Sequence, residues 1–182
     1  MSDPFANQVI DLLPNLRRYA ISLARKPDVA DDLVQITVEK ALKQRRQYDP
    51  RQKLAPWLLR ILRNAWIDET RRQNARGQQS AIEDVASDLV AEREAGPEMR
   101  LEVQQTLAAI YALPEGQRDA MVLVCIEGLS YREAAEVMGV AVGTVMSRLA
   151  RGRLALVAKV GIDRPVATYP PHPTNKTGTP ER

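Results

Sequence analysis

The stretch EGLSYREAAEVMGVAVGTVMSRLARGR, from Glu127 to Arg153, constrains the fold more than any other part of the chain: it reads as two short helices joined by a tight turn. Ser130 followed three residues later by Glu133 has the spacing of a capping box, each side chain satisfying a backbone N–H at the start of a helix that runs through Met138. Gly139 supplies the left-handed residue that ends that helix, and Val140 tucks under the corner. Ala135 leaves room for a close helix approach. Val145 and Leu149, four apart, give the second helix a stripe that faces Ala134, Val137 and Met138.

The opposite face carries Thr144, Ser147, Arg148 and Arg151, and no acidic residue interrupts the chain between Val142 and Gly161, where Arg153 and Lys159 add further positive charge. Hydroxyls and guanidinium forks at helical spacing suit base edges in a major groove and the phosphates on its rim. A helical hairpin with a solvated face would share the charges. It would not require the Ala, Gly and Val spacing, which favours a DNA-reading helix-turn-helix.

A chain of 182 residues accommodates one ordinary domain or two small helical ones, and two are expected. The net charge is only +3, but between Lys40 and Arg76 eleven Lys or Arg stand against Asp49, Asp68 and Glu69, enough local potential to hold a nucleic-acid backbone. Cys125 is the single cysteine, inside the apolar run Met121 to Ile126, so an intrachain disulfide or a cysteine-rich zinc site is excluded and a buried apolar role expected. The one histidine, His172, lies in the tail YPPHPTNKTGTPER without a second ligand or acid nearby in sequence. Neither a metal nor a cofactor is expected. No apolar run approaches the ~20 residues that span a bilayer, and MSDPFANQV lacks the basic start and apolar core of a secretion signal, so a cytoplasmic protein without membrane insertion is expected.

From Phe5 to Arg25 the apolar residues fall near helical period, with Pro14 at a break or first turn, giving a short helix and then a longer one. Asp28 is expected to cap the next helix, whose buried side holds Ala30, Leu33, Val34, Thr37, Val38, Ala41 and Leu42. That helix starts with Asp28, Asp31 and Asp32 and ends with Lys40, Lys43, Arg45 and Arg46. Matching to the helix dipole explains this polarity, and so does a partner surface made of Asp31, Asp32 and Gln35. The segment Gln47 to Ala55, bearing Arg51 and Lys53, reads as a loop, and Pro56 suits the first turn of a helix through Asn74. Trp57, Leu58, Ile61, Leu62 and Ala65 form the core stripe of that helix. Arg60, Asn64, Ile67 and Arg71 form another, basic and amide-bearing. Trp57 at this spacing suits the core, whereas Trp66 lies off the apolar stripe and suits an interface; Asp68 is spaced to pair with Arg71 or Arg72.

After Arg76 the composition turns acidic and polar, as in a linker. Pro97 opens a second module with Met99, Val103, Leu107, Ile110 and Tyr111 on one face, ended at Leu113-Pro114, and a further helix is expected from Glu115 to Glu127. The run AMVLVCI would also suit a strand, but it has no pairing partner. The fold class is therefore all-α: two small helical domains at 1–76 and 97–162, a linker at 77–96 and a disordered proline-rich tail at 163–182.

Taken together, ADDLVQITVEKAL (Ala30 to Leu42), APWLLRILRNAWIDETRR (Ala55 to Arg72) and ALPEGQRDAMVL followed by EGLSYREAAEVMGVAVGTVMSRLARGR (Ala112 to Arg153) resemble bacterial sigma factors of the extracytoplasmic-function group. The likeness spans roughly Leu12 to Val160, with the motifs in the family's order, and LPNLRRYAISLARKPDVADDLVQ resembles the general-stress-response subgroup, whose partner is a small anti-sigma factor. The resemblance implies that the first domain docks on the β′ clamp helices of core RNA polymerase through Asp31, Asp32, Leu33 and Gln35. It implies that Arg51, Lys53, Arg60, Asn64, Arg71 and Arg72 recognise and help open the minus-10 promoter element, and that Thr144, Ser147, Arg148, Arg151 and Arg153 read the minus-35 element while an apolar surface of the second domain meets the β flap. Met146 stands where the family usually has Lys or Arg, and Ala141 where Pro is common, so promoter preference does not carry over from relatives.

Two other functions fit parts of the chain: a stand-alone helix-turn-helix regulator, and a sigma-like decoy that binds only an anti-sigma factor. The retained arginines argue against the decoy. No paired acid and base, nucleophile elbow or phosphate loop suggests an enzyme.

Overall fold

Proline stands at the first or second position of four of the described helices, where its missing N–H is not needed and its fixed φ already matches the helix. The structure, a computed structural model, describes residues 3–76 and 97–160, the side chains of 97–103 and 160 excepted, and every regular element among them is helical. The predicted linker at 77–96 and tail at 163–182 lie outside the described residues, as do the side chains of Met99 and Val103.

In the first half, α1 (Pro4–Asp11) leads into α2 (Leu13–Ala24), α3 (Pro27–Lys43) and α4 (Leu54–Ala75). The Asp3 carboxylate accepts from the Phe5 N–H at 3.1 Å and caps α1. Asp28 does not cap α3: Lys26 holds the cap position without a side-chain bond, because Pro27 takes the first helical position and moves Asp28 into the first turn, where its charge still meets the helix dipole. Leu16, Tyr19 and Ala20 of α2 meet Ala30, Leu33, Thr37 and Ala41 of α3 and Leu58, Leu59 and Leu62 of α4 in a common core. Thr37 is tolerated there because its hydroxyl donates to the Leu33 carbonyl at 2.7 Å. Leu42, expected in the stripe, faces outward.

The expected loop is shorter than the sequence suggests. A 3-10 turn spans Arg45–Gln47 and α4 begins at Leu54, two residues before Pro56. Leu59 joins the buried residues of α4 because that helix is packed both by α2 and α3 and by α7 from the second half, which widens its buried face beyond one stripe.

The second half comprises α5 (Pro97–Tyr111), α6 (Glu115–Met121), α7 (Tyr131–Met138) and α8 (Val142–Val160). The run AMVLVCI is helical but changes pitch: Val122–Ile126 form a π turn, closed by the Glu127 N–H donating to the Val122 carbonyl at 2.9 Å. Ala120 to Leu123 are all buried, so helical periodicity is invisible there. Both bonds of the Ser130–Glu133 capping box form, at 3.2 and 2.7 Å, and Gly139 turns the chain at φ 64°. Val145 and Leu149 are buried against α7 as the spacing requires. Gly152 sets the approach of α8 to α6, since a Cβ there would stand 3.1 Å from Met121 Cγ.

Candidate nucleic-acid interface

α8 is held by its buried stripe so that a polar face remains outside, but the five expected reading residues are not equally free. Arg151 is exposed. Thr144 and Ser147 are half-buried, and the Ser147 hydroxyl donates to the Thr144 carbonyl at 3.0 Å. Arg148 is half-buried with its guanidinium over α6, 3.0 Å from where a Cβ on Gly116 would be. Arg153 lies beside the Cys125 thiol, whose pKa burial pushes up and the arginine pulls back. Val142 and Met146 are exposed apolar side chains on the same helix.

The loop before α4 is ordered from within. Phe5, Tyr48 and Trp57 form an aromatic cluster, with Tyr48 and Trp57 centroids 5.3 Å apart, and Arg45 lies 5.2 Å over the Phe5 ring. The Tyr48 hydroxyl donates to the Gln52 carbonyl at 2.7 Å, and the Asp49 carboxylate accepts from the Arg51 N–H at 3.0 Å. Arg51 and Lys53 project from this loop, and Arg60, Asn64, Arg71 and Arg72 are exposed along α4. Arg72 pairs with Glu69 at 3.5 Å, while Asp68 approaches Lys40 at 3.9 Å rather than either expected arginine. Trp66 is half-buried against the core.

On α3, Asp31, Asp32 and Gln35 are exposed together, and Asp31 pairs with Arg17 at 2.9 Å. Leu33 is different. At 1% exposure it belongs to the core beneath that patch and offers no side-chain surface to a partner in this state.

The contacts that join the two halves lie outside what was expected from the sequence. Glu127, before the helix-turn-helix, accepts from Arg18 at 3.0 and 3.1 Å and from Asn15 at 2.6 Å; Arg25 donates to the Tyr111 carbonyl; Arg63 meets Asp119 at 3.3 Å; and Lys53 meets Glu133 at 3.0 Å. Asp119 was the available signal, a carboxylate abutting the apolar run. It is fully buried, and burial pushes its pKa up to about 6 against the pull of Arg63. A carboxyl with a pKa raised by packing holds its proton more tightly in the packed than in the unfolded chain. Its contribution is therefore complete below the ordinary carboxyl range and is lost as pH rises through about 6. Thermal unfolding at pH 5 and pH 8 should show this component, on the order of 2 kcal/mol, and Asp119→Asn should remove it. A pH dependence identical in the variant would refute the assignment.

Lys53, Arg60 and Trp57 face Arg132, Glu133 and Glu136 of α7 across a groove of about 390 Å³. Glu133 is partly buried, which alone would raise its pKa, but the Ser130 N–H and Lys53 hold it below the ordinary value. Among the described residues no group of three or more His, Cys, Asp or Glu side chains is placed to hold a metal ion, and no helix is long and apolar enough to cross a membrane.

Comparison with known proteins divides the chain along the same line. The sigma-70 region 2 family matches residues 9–76 and the sigma-70 region 4 family residues 104–156. The ECF RNA polymerase sigma factor EcfG of Rhodopseudomonas palustris is 37% identical over 90% of this chain and 88% of its own. Among solved structures, the sigma factor RpoE in complex with the anti-sigma factor NepR from Bartonella quintana superposes with a TM-score of 0.71 at 33% identity, over 88% of this chain and 98% of that one. CnrH in complex with the cytosolic domain of CnrY gives a TM-score of 0.61 at 28% identity, over 88% and 89%.

Proposed function

Since the chain belongs to the extracytoplasmic-function sigma factors of the sigma-70 family, we propose that its two halves divide promoter recognition between two exposed cationic faces. The protein is a sigma factor: it binds core RNA polymerase and directs transcription initiation at promoters. Residues 1–76 act as region 2 and 97–162 as region 4, tethered by 77–96, with 163–182 as a tail outside both.

In this reading Arg51 and Lys53 on the ordered loop, with Arg60, Asn64, Arg71 and Arg72 on α4, hold the minus-10 element as it opens. An unpaired strand suits them because cations track its backbone and the aromatic cluster behind the loop keeps the capturing segment in place. Arg151 leads the reading of the minus-35 element, with Thr144, Ser147 and Arg148 beside it and Arg153 at the phosphate rim after its guanidinium leaves Cys125. Asp31, Asp32 and Gln35 meet the β′ clamp helices, and Leu33 keeps that helix in place from beneath; an apolar surface of the second half meets the β flap. The protein works in the cytoplasm as a non-catalytic initiation subunit, held in check by a small anti-sigma factor of the kind bound to its structural relative from Bartonella quintana.

The observation that supports this division most strongly is that two separate family matches, in the family's order, each contain exposed cations at the expected positions: Arg51, Lys53, Arg60, Arg71 and Arg72 in the first and Arg151 in the second. Core RNA polymerase reconstituted with the purified chain is expected to give a transcript from a stress-type promoter and none without the chain. A chain that binds promoter duplex alone and yields no transcript with core enzyme would instead be a stand-alone regulator.

A further inference from the structure

The leading end of α8 offers apolar side chains where a reading helix is expected to offer polar ones. Within its first two turns the exposed residues are Val142, Gly143 and Met146, with Val142 at 40% and Met146 at 52%. The polar side chains of the same turns are held back. Thr144 and Ser147 are half-buried, the Ser147 hydroxyl commits its proton to the Thr144 carbonyl, and the Arg148 guanidinium is drawn over Gly116 of α6. Val142 and Met146 stand four apart and so share one side of the helix. Gly143 adds no side chain there, and a Cβ on it would meet nothing within 4 Å, so the protein leaves that side of the patch open. Leu154 and Val157 are exposed too, but they lie ~18 Å or more further along the axis, beyond the N-terminal turns from which a recognition helix contacts base edges.

We propose that Met146, with Val142 beside it, is a specificity-determining residue that reads the C5-methyl group of thymine in the minus-35 element. The charge around the patch selects DNA as its occupant: no acidic residue lies between Val142 and Gly161, while Arg148, Arg151, Arg153 and Lys159 do. Among the groups that base pairs display in the major groove, the thymine methyl is the apolar one, and an apolar side chain recognises it by covering it. Met suits that task because its unbranched, polarisable chain adapts to the surface it meets. The cations then hold the phosphates while Met146 distinguishes one base pair from another. This rests on the reading of α8 as the minus-35 helix.

The test uses core RNA polymerase with the full chain to select duplexes from a pool in which the minus-35 block of a transcribed promoter is randomised. The wild-type chain is expected to enrich thymine at one or more positions of the block. Replacing that thymine with deoxyuridine, which keeps the pairing and removes only the methyl, is expected to lower binding roughly fourfold, the effect of leaving one methyl group uncovered. Met146→Ala is expected to lose the preference at that position and to bind the thymine and deoxyuridine duplexes alike, with the rest of the selected sequence and the affinity for core enzyme unchanged. The variant keeps its fold, since the side chain is exposed and Ala favours a helix, and circular dichroism checks this. Enrichment of thymine at no position, or a deoxyuridine penalty that persists in Met146→Ala, would overturn the role of Met146 while leaving α8 as the minus-35 helix. Absence of any base preference over the block with the wild-type chain would overturn that reading of α8 and the proposal with it. Weaker binding of Met146→Ala to core enzyme with an unchanged base preference would assign the patch to a protein partner and overturn the proposal alone.

Discussion

Arg151→Ala is expected to lower transcription from a minus-35-dependent promoter by roughly ten- to a hundredfold, the effect of losing one bidentate base or phosphate contact, while leaving affinity for core RNA polymerase unchanged. The separation follows from position. Arg151 is exposed and sits on α8, whereas Asp31, Asp32 and Gln35 are on α3 in the other half. Arg148→Ala should have a smaller effect on binding and a measurable one on stability, since its guanidinium already packs over Gly116. Filter binding to the polymerase and abortive-transcript assays distinguish the two variants. Equal loss of polymerase affinity and promoter use in Arg151→Ala would remove it from the reading surface.

Leu33→Ala is expected to destabilise the first half by about 2–5 kcal/mol, as for other fully buried leucines, and to lower polymerase affinity only as a consequence of unfolding. The side chain lies beneath Asp31, Asp32 and Gln35 among Tyr19, Ala30 and Leu62 in the core. Asp32→Ala should show the reverse, with an unchanged melting temperature and weaker polymerase binding, since an exposed carboxylate contributes little to folding. Thermal melts and affinity measurements on both variants separate support from contact. A Leu33→Ala protein with normal stability and lost affinity would return that leucine to the contact surface.

Local rules made the helix-turn-helix legible. Ser130, Glu133 and Gly139 act within a few residues of themselves, and the bonds and φ they dictate were readable without any tertiary context. Single-face periodicity found the α3 core for the same reason. Where two local rules compete, sequence reading fails: Pro27 displaced Asp28 from the cap it was expected to hold. Where an element is buried on more than one side, periodicity is lost, as for Leu59 on α4 and Ala120 to Leu123 before the π turn. The joint between the halves was hidden because its partners, such as Arg18 and Glu127, stand 109 residues apart and each alone reads as an ordinary surface charge. Similarly, Arg148 and Arg153 looked equivalent to Arg151 by spacing, and only the packing of α8 on α6 and against Cys125 distinguishes them.

Promoter melting offers the most direct test of two halves gripping one DNA under the polymerase. On a duplex promoter probed with permanganate, core enzyme and this chain together should make the minus-10 thymines reactive, with reactivity greatly reduced when Arg60, Asn64 and Arg71 are all alanine and polymerase binding is retained. Undiminished reactivity in that triple variant, or no reactive thymines with the wild-type chain bound to core enzyme, would contradict the account.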